Sequence, residues 1–513
     1  MKNIISMGIS IIILGVIFSC STQEYPHLSQ IGPKVYFNEK GNTTVTWLQQ
    51  NDTSKNYQLY AATQNDGLLI DPNQSENLMA NKSLLNITDK IEAVVYLDQS
   101  IRLLTLKVVS FDQVTWYSRI EDSEEITAFI SYMNKDKLTF KKIPSNISKQ
   151  GNFSPFAITR SDDSKITMAW IDEQQRVNIQ QLMNDEWQEK IIIDYYKNVG
   201  HLDFSINNHG DGILLVIGNI ASESNEIPSI YLSYLRDNTW HHPSTTETTQ
   251  LLQKPLYGVP EIVIDQEGNS LVTWLQSIAN QEEIESLRKS GKKIDFELVV
   301  KYFTPTLQPS LTASYLVNIQ NEWYRFYNEQ PTQNGLYRFF DEQKLITLDI
   351  NESGEAIVLW GERDGISMLR FSQREWLVPE IIYHYSKSYD YYTIRGTPTI
   401  DAKMSRTGEV VIFMVVNDCQ NTNAQNCSRA LMKSHPLTGD WNNAFEHVFA
   451  NEVHAFNFDF AINPLGDVSL VWSKTFPTFP KNKQALYLAT RKNGQWTFPK
   501  SNEDYLKISN ESN

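Results

Sequence analysis

The chain has 513 residues, 60 of them acidic against 45 basic, for a formal charge of −15 at pH 7. That balance argues against nucleic acid and other polyanions as partners. The length exceeds one ordinary domain, so either several domains or one extended repeat array must account for it.

The first twenty residues run from a basic start at Lys2 through an apolar stretch, Ile9 to Phe18, to Ile17-Phe18-Ser19-Cys20. The stretch is short for a membrane span. It resembles a bacterial lipoprotein signal. The resemblance implies cleavage before Cys20, a diacylglyceryl group on the Cys20 sulfur and, with Ser21 next, sorting to the outer membrane. An uncleaved anchor helix is the alternative and leaves the chain in the same compartment. Residues 1–19 are then a signal peptide, 20–31 a lipidated tether, 32–505 the folded body and 506–513 a tail.

From Asn38 onward one unit recurs: Asn or Asp, two residues, glycine, an apolar run, and tryptophan six residues after the glycine. Asn38/Gly41/Trp47, Asp265/Gly268/Trp274, Asn351/Gly354/Trp360 and Asn463/Gly466/Trp472 follow it, and Ser161/Ser164/Trp170 is a worn copy. An Asn or Asp at the head of a tight turn bonds its own backbone, and glycine takes angles that a Cβ forbids. Two strands therefore meet at each turn, and the run after the glycine, as in Leu271-Val272-Thr273-Trp274, reads as a buried strand. Gly212 to Gly218, after Asn208-His209-Gly210-Asp211, and Gly408 before Val410 to Val416 keep the frame without the tryptophan. Gly41 and Ser164 lie 123 residues apart, so a degenerate copy is expected around Tyr96 to Ser110.

A second tryptophan follows most copies after another alternating strand and a polar turn: Trp187, Trp240, Trp323, Trp376, Trp441 and Trp496. Only Trp116 falls outside the two positions. Such regularity predicts apolar wedges packed between neighbouring repeats. Four short strands per unit, with turns mostly 48 to 58 residues apart, describe a β-propeller blade. Solenoid repeats are usually shorter. The chain therefore reads as all-β, a single propeller of four-stranded antiparallel blades, eight in number, with seven as the alternative count if residues 96–130 only decorate their neighbours.

One interval, Gly268 to Gly354, is 86 residues long. Its insertion, Asn280 to Gly291, has an N-cap residue, Glu283 three positions on, acids first, bases last and a terminal glycine. That predicts a short helix, read as a solvated decoration. The loops joining the second strand to the third, and one blade to the next, share the face opposite the glycine turns. They include 275–296, 379–396, 417–428 and 473–484, and irregular loops on a rigid scaffold are where binding usually lives.

Within 379–396 five tyrosines crowd into ten residues: Tyr383, Tyr385, Tyr389, Tyr391 and Tyr392. Tyrosine offers a flat apolar face and a polar tip, suited to a sugar ring or a protein partner, although alternate tyrosines could equally pack on adjacent blades. Cys419 and Cys427 share a polar stretch, and two exported cysteines this close are most simply a disulfide. No histidine nearby completes a zinc set. His241 and His242 are neighbours on a strand, where adjacent side chains point to opposite faces, so they would not chelate one metal.

The repeat resembles the blades of bacterial exported propellers, and loosely those of sialidase-like propellers. Here the glycine-to-tryptophan distance is six residues, not two as in the sialidase turn, and no arginine triad is recognisable. His435-Pro436-Leu437-Thr438-Gly439-Asp440-Trp441 is similar to one repeat turn of quinoprotein-type propellers, including an outer-membrane assembly lipoprotein. Signatures of serine hydrolases, zinc proteases, P-loops and calcium loops are missing. No catalytic residue, metal ligand or cofactor is assigned, and the reading points away from an enzyme. The expectation is a lipid-anchored envelope propeller, periplasmic or surface-facing, that binds a protein or glycan. The alternative is a glycan-active hydrolase with paired carboxylates at the central channel.

Overall fold

The computed structural model describes residues 30–37, 43–50, 57–70, 93–96, 128–142, 156–160, 166–221, 229–242, 256–290, 295–317, 346–384, 399–416, 429–449, 455–476 and 483–499, apart from a few turn positions within some of them, together with Asp504 and Leu506. Its strands form eight sheets in chain order, within 30–70, 93–142, 156–193, 196–241, 256–317, 346–384, 399–449 and 455–497. Seven are antiparallel sheets of four strands, or of five where the outermost position is split in two. The second sheet departs from the pattern. It has three strands, and its first pair, Ala93–Tyr96 with Ala128–Asn134, runs parallel.

The turn chemistry read from the sequence sets the first hairpin wherever that turn is among the described residues, in the fourth to eighth sheets. Asp265 Oδ1 accepts the backbone N–H groups of Glu267 (2.9 Å) and Asn269 (2.8 Å). Asn351 does the same for Ser353 and Glu355, and Asn463 for Leu465 and Asp467. Each glycine N–H closes on the carbonyl of the turn's first residue. The glycines lie at positive φ, +83° at Gly268, +77° at Gly354 and +85° at Gly466, where a Cβ is strained.

In the fourth sheet the turn head lies one residue earlier, and the turn glycine two residues earlier, than the sequence reading placed them. Asn207, not Asn208, heads the turn, its Oδ1 accepting from His209 and Asp211 at 3.0 Å each, and Gly210 carries the positive φ. Asn207, Asn208, Gly210 and Gly212 lie within six residues, and Asn207 with Gly210 has the spacing of the other copies. Val216 consequently occupies the tryptophan position. In the seventh sheet Ser405 heads the turn, its Oγ accepting the N–H of Glu409 at 3.0 Å.

Trp47, Trp170, Trp274, Trp360 and Trp472 all sit on second strands and are buried. Trp274 packs against the fourth sheet, Trp360 against the fifth and Trp472 against the seventh. Of the second-position tryptophans, Trp376 and Trp496 join the clusters of Trp360 and Trp472, while Trp240 packs between the third and fourth sheets and Trp441 between the sixth and seventh. Each of these blades thus presses its tryptophans onto its predecessor, as expected of wedges between repeats. Trp116 and Trp323 lie outside the described residues.

First strands adjoin one another in order from the third sheet to the eighth, and that of the eighth adjoins Gln30–Phe37 of the first. The eighth sheet is thereby joined to the first. Val35, Val45 and Trp47 share a core with Ala461, Val471, Leu486 and Leu506. The Leu506 N–H donates to the Leu486 carbonyl at 2.7 Å. The predicted helix forms at Gln281–Lys289 with the expected reciprocal cap: Asn280 N–H to Glu283 Oε2 at 2.9 Å, and Glu283 N–H to Asn280 Oδ1 at 3.0 Å. It is more than decoration. Ile284 is fully buried in the core shared by the fifth and sixth sheets.

Candidate functional site: the inner-strand collar and the loop face

The axis of the array is lined by first strands, whose open edges leave backbone N–H groups in need of acceptors. Carboxylates from the preceding blade meet several of these. Glu261 Oε2 accepts from Leu348 N–H at 2.9 Å, Asp349 Oδ2 from Met404 N–H at 2.6 Å, and Asp459 Oδ2 from Val35 N–H at 2.8 Å. A fourth, Asp401 Oδ1, accepts from the Thr347 hydroxyl at 3.2 Å and from Ala402 N–H at 3.0 Å. Lys403 Nζ lies 4.0 Å from Asp459 Oδ1, donates to the Phe460 carbonyl, and sits over the Phe460 ring.

These acids lie two or four residues before the turn head, a spacing the sequence displays but whose purpose it does not. Two of the acids four residues before the head serve the N–H three residues before the head of the next blade, Glu261 to Leu348 and Asp459 to Val35. Asp349, two before, serves Met404, one before. A carboxylate accepting a backbone N–H makes a charge-assisted bond stronger than a neutral one. The collar is therefore an inter-blade brace. Among the described residues no group of three His, Cys, Asp or Glu side chains could hold a metal ion.

A second belt runs along the glycine turns. Asp265 Oδ2 would lie 2.9 Å from a Cβ placed on Gly354, and Glu409 Oε2 2.7 Å from one on Gly466. Asn207 Nδ2 donates to the Asp265 carbonyl at 3.0 Å. Arg491 reaches Glu409 at 3.2 Å across the seventh and eighth sheets. Between the fourth and fifth sheets this face carries a shallow notch lined by Asp211, Tyr234, Arg236, Ser270 and Pro305 among others.

Buried polar side chains on the third strands tie in the outermost strands. Gln180 Nε2 donates to the Gln188 carbonyl at 2.7 Å, and Lys433 Nζ to the Trp441 carbonyl. Burial holds the Lys433 ammonium below its ordinary pKa, and the same cause lowers that of Lys301, which lies over the Trp274 ring at 5.6 Å. His201 is buried on the first strand of the fourth sheet, and burial lowers its pKa to about 4. His241 and His242 do point apart. His241 stacks on Tyr234 at 4.5 Å and His242 on Tyr195 at 5.1 Å.

Of the tyrosines singled out in the sequence, Tyr383 lies near the end of a strand of the sixth sheet. Its ring meets Phe445 edge-on at 5.8 Å and packs against the core shared with the seventh sheet. Tyr385, Tyr389, Tyr391 and Tyr392 lie outside the described residues, as do Cys20, Cys419 and Cys427. No helix among the described residues is long and apolar enough to cross a membrane.

No protein-family model matches the chain, and no curated protein does. Solved structures to which it is similar include AofleA from Arthrobotrys oligospora, at 9% identity over 67% of this chain and 84% of that one, with a TM-score of 0.34. The α-L-arabinofuranosidase arb93a from Fusarium graminearum, a mutant in complex with an iminosugar inhibitor, is 12% identical over 65% and 91%, with a TM-score of 0.31. The six-bladed propeller lectin of Aleuria aurantia is 8% identical over 80% and 93%, with a TM-score of 0.30.

Proposed function

We propose that the protein is a lipid-anchored envelope β-propeller that works as a non-catalytic scaffold, presenting its loop face to a protein or glycan. The observation that carries the reading is the use made of the axial carboxylates. Glu261, Asp349 and Asp459 each accept a backbone N–H of the neighbouring blade. A glycosidase needs two carboxyl groups free to face one sugar, about 5–5.5 Å apart for retention or 6.5–9.5 Å for inversion. Acids spent on bracing do not meet that need. The lipoprotein-like segment ending at Cys20 supports attachment to the outer membrane, and the tyrosine-rich sequence after Tyr383 offers residue types suited to aromatic anchoring.

The test is affinity capture from crosslinked envelopes with wild-type protein and with the triple variant Tyr385→Ala, Tyr389→Ala, Tyr391→Ala. The reading expects one dominant partner or glycan, lost from the variant while its melting temperature stays within a few degrees. A variant that melts far lower, yet whose folded fraction binds as well as wild type, removes the loop from the binding face.

A further inference from the structure

In the fourth sheet three side chains form a single file from the surface into the core. The Tyr196 hydroxyl lies 2.5 Å from Ser233 Oγ, and Ser233 Oγ lies 2.8 Å from His242 Nδ1. Ser233 is wholly buried and Tyr196 nearly so, within the cluster that joins the third and fourth sheets through Ile179, Ile193, Val199 and Tyr231. His242 is half-buried, just beyond the end of the outermost strand. A Ser–His pair invites comparison with a nucleophile and its base, but here the hydroxyl is sealed from any substrate.

Counting hydrogens decides what the file can do. Two bonds need two hydrogens, one from Tyr196 and one from Ser233. With His242 neutral and bare at Nδ1, Tyr196 donates to Ser233 and Ser233 donates to His242, so every member is satisfied. With His242 protonated, Nδ1–H must donate to Ser233. One hydroxyl hydrogen, that of Ser233 or that of Tyr196, is then left in the core with no acceptor in the file. A buried donor without a partner is costly.

We propose that the Tyr196–Ser233–His242 file is an acid-sensitive latch that ties the first, third and outermost strands of the fourth sheet together, beside the core shared with the third sheet, while His242 is neutral, and that weakens when His242 is protonated. The titratable groups facing His242 are Tyr195, stacked on it at 5.1 Å, Tyr196 at 6.1 Å, and His241 beside it in the chain. Tyr231 lies against Tyr196 at 6.0 Å. Burial and the charge of His241 both hold His242 below its ordinary pKa, in the direction that the hydrogen count also favours. The latch is independent of what the loop face binds.

The experiment follows the imidazole resonance of His242 in the full chain, assigned by its loss in His242→Asn. Ser233→Ala is expected to raise the His242 pKa by about half a unit to one unit, because neutral imidazole loses its donor. Protection of Tyr196–Ile206 against hydrogen exchange is expected to fall roughly tenfold between pH 7 and pH 5 in wild type, after correction for intrinsic exchange. In His242→Asn, whose amide oxygen still accepts from Ser233 but takes no proton, that fall should disappear, while His201 remains as a common background. An unchanged His242 titration in Ser233→Ala, or an equal loss of protection in His242→Asn, overturns the latch. If Ser233→Ala does not fold, the His242→Asn comparison decides alone.

Discussion

Asp349, on the first strand of the sixth sheet, accepts the backbone N–H of Met404, on the first strand of the seventh, at 2.6 Å. The relation repeats as Glu261 to Leu348, and as Asp459 to Val35 across the junction of the chain's two ends. A propeller has no hydrogen-bond ladder between blades, so the edges facing its axis must be satisfied otherwise. Here carboxylates do so.

Removing one acceptor should therefore cost more than a surface substitution. Asp459 is nearly buried, at 6% exposure. Asp459→Ala leaves the Val35 N–H without that acceptor and is expected to lower stability by about 1–3 kcal/mol in urea unfolding. Asp459→Asn, which keeps an oxygen, should cost less. Equal and small effects, under about 0.5 kcal/mol for both, would show that the contact is no brace.

The glycine turns give a paired comparison. Gly354 and Gly494 have nearly the same φ, +77° and +76°, but a Cβ on Gly354 meets Asp265 at 2.9 Å, and one on Gly494 meets nothing within 4 Å. Gly494→Ala should cost only the left-handed backbone term, about 1–2 kcal/mol. Gly354→Ala should cost that and a further increment of about 1–3 kcal/mol for displacing the neighbouring carboxylate. Thermal melts of the two variants side by side check the difference.

His201 predicts an acid limb of stability. Its folded pKa, about 4, lies below the ordinary histidine value of 6.5, so the unfolded chain binds the proton more readily. The contribution is present above about pH 6.5 and is lost as the pH falls toward 4, reaching about 3 kcal/mol. Denaturation of wild type and His201→Gln at pH 7, 5.5 and 4 should show a steeper decline for wild type.

Cys419 and Cys427 enclose seven residues, and their disulfide is a proposal from sequence. A loop that short contributes at most about 2–3 kcal/mol. Thiol labelling of denatured, unreduced protein should find neither cysteine free. Stoichiometric labelling of both would end the proposal.

Much of the fold was legible because its signals are local. The Asp265 turn, the tryptophans of five second strands and the Asn280–Glu283 cap each lie within a few residues of what they organise. The frame at Asn207 was not, since Asn208 stands next to it and Gly212 only two residues beyond Gly210. Nor was the burial of Ile284, which depends on a groove between two blades. The collar escaped for the same reason: Asp459 and Val35 are 424 positions apart, and nothing near an acid in sequence tells a brace from a catalyst. Of the predicted binding tyrosines the described residues include Tyr383 alone, and it packs between blades.

The central claim, a binding scaffold without catalysis, is tested most directly by incubating soluble protein lacking residues 1–20 with the glycan fraction of the envelope and measuring both retention and new reducing ends. The account predicts retention of material on the protein and no release of reducing ends above blank, even at stoichiometric protein. Release that rises with time and is abolished by Asp401→Asn or Asp349→Asn, with the variants still folded, would contradict it.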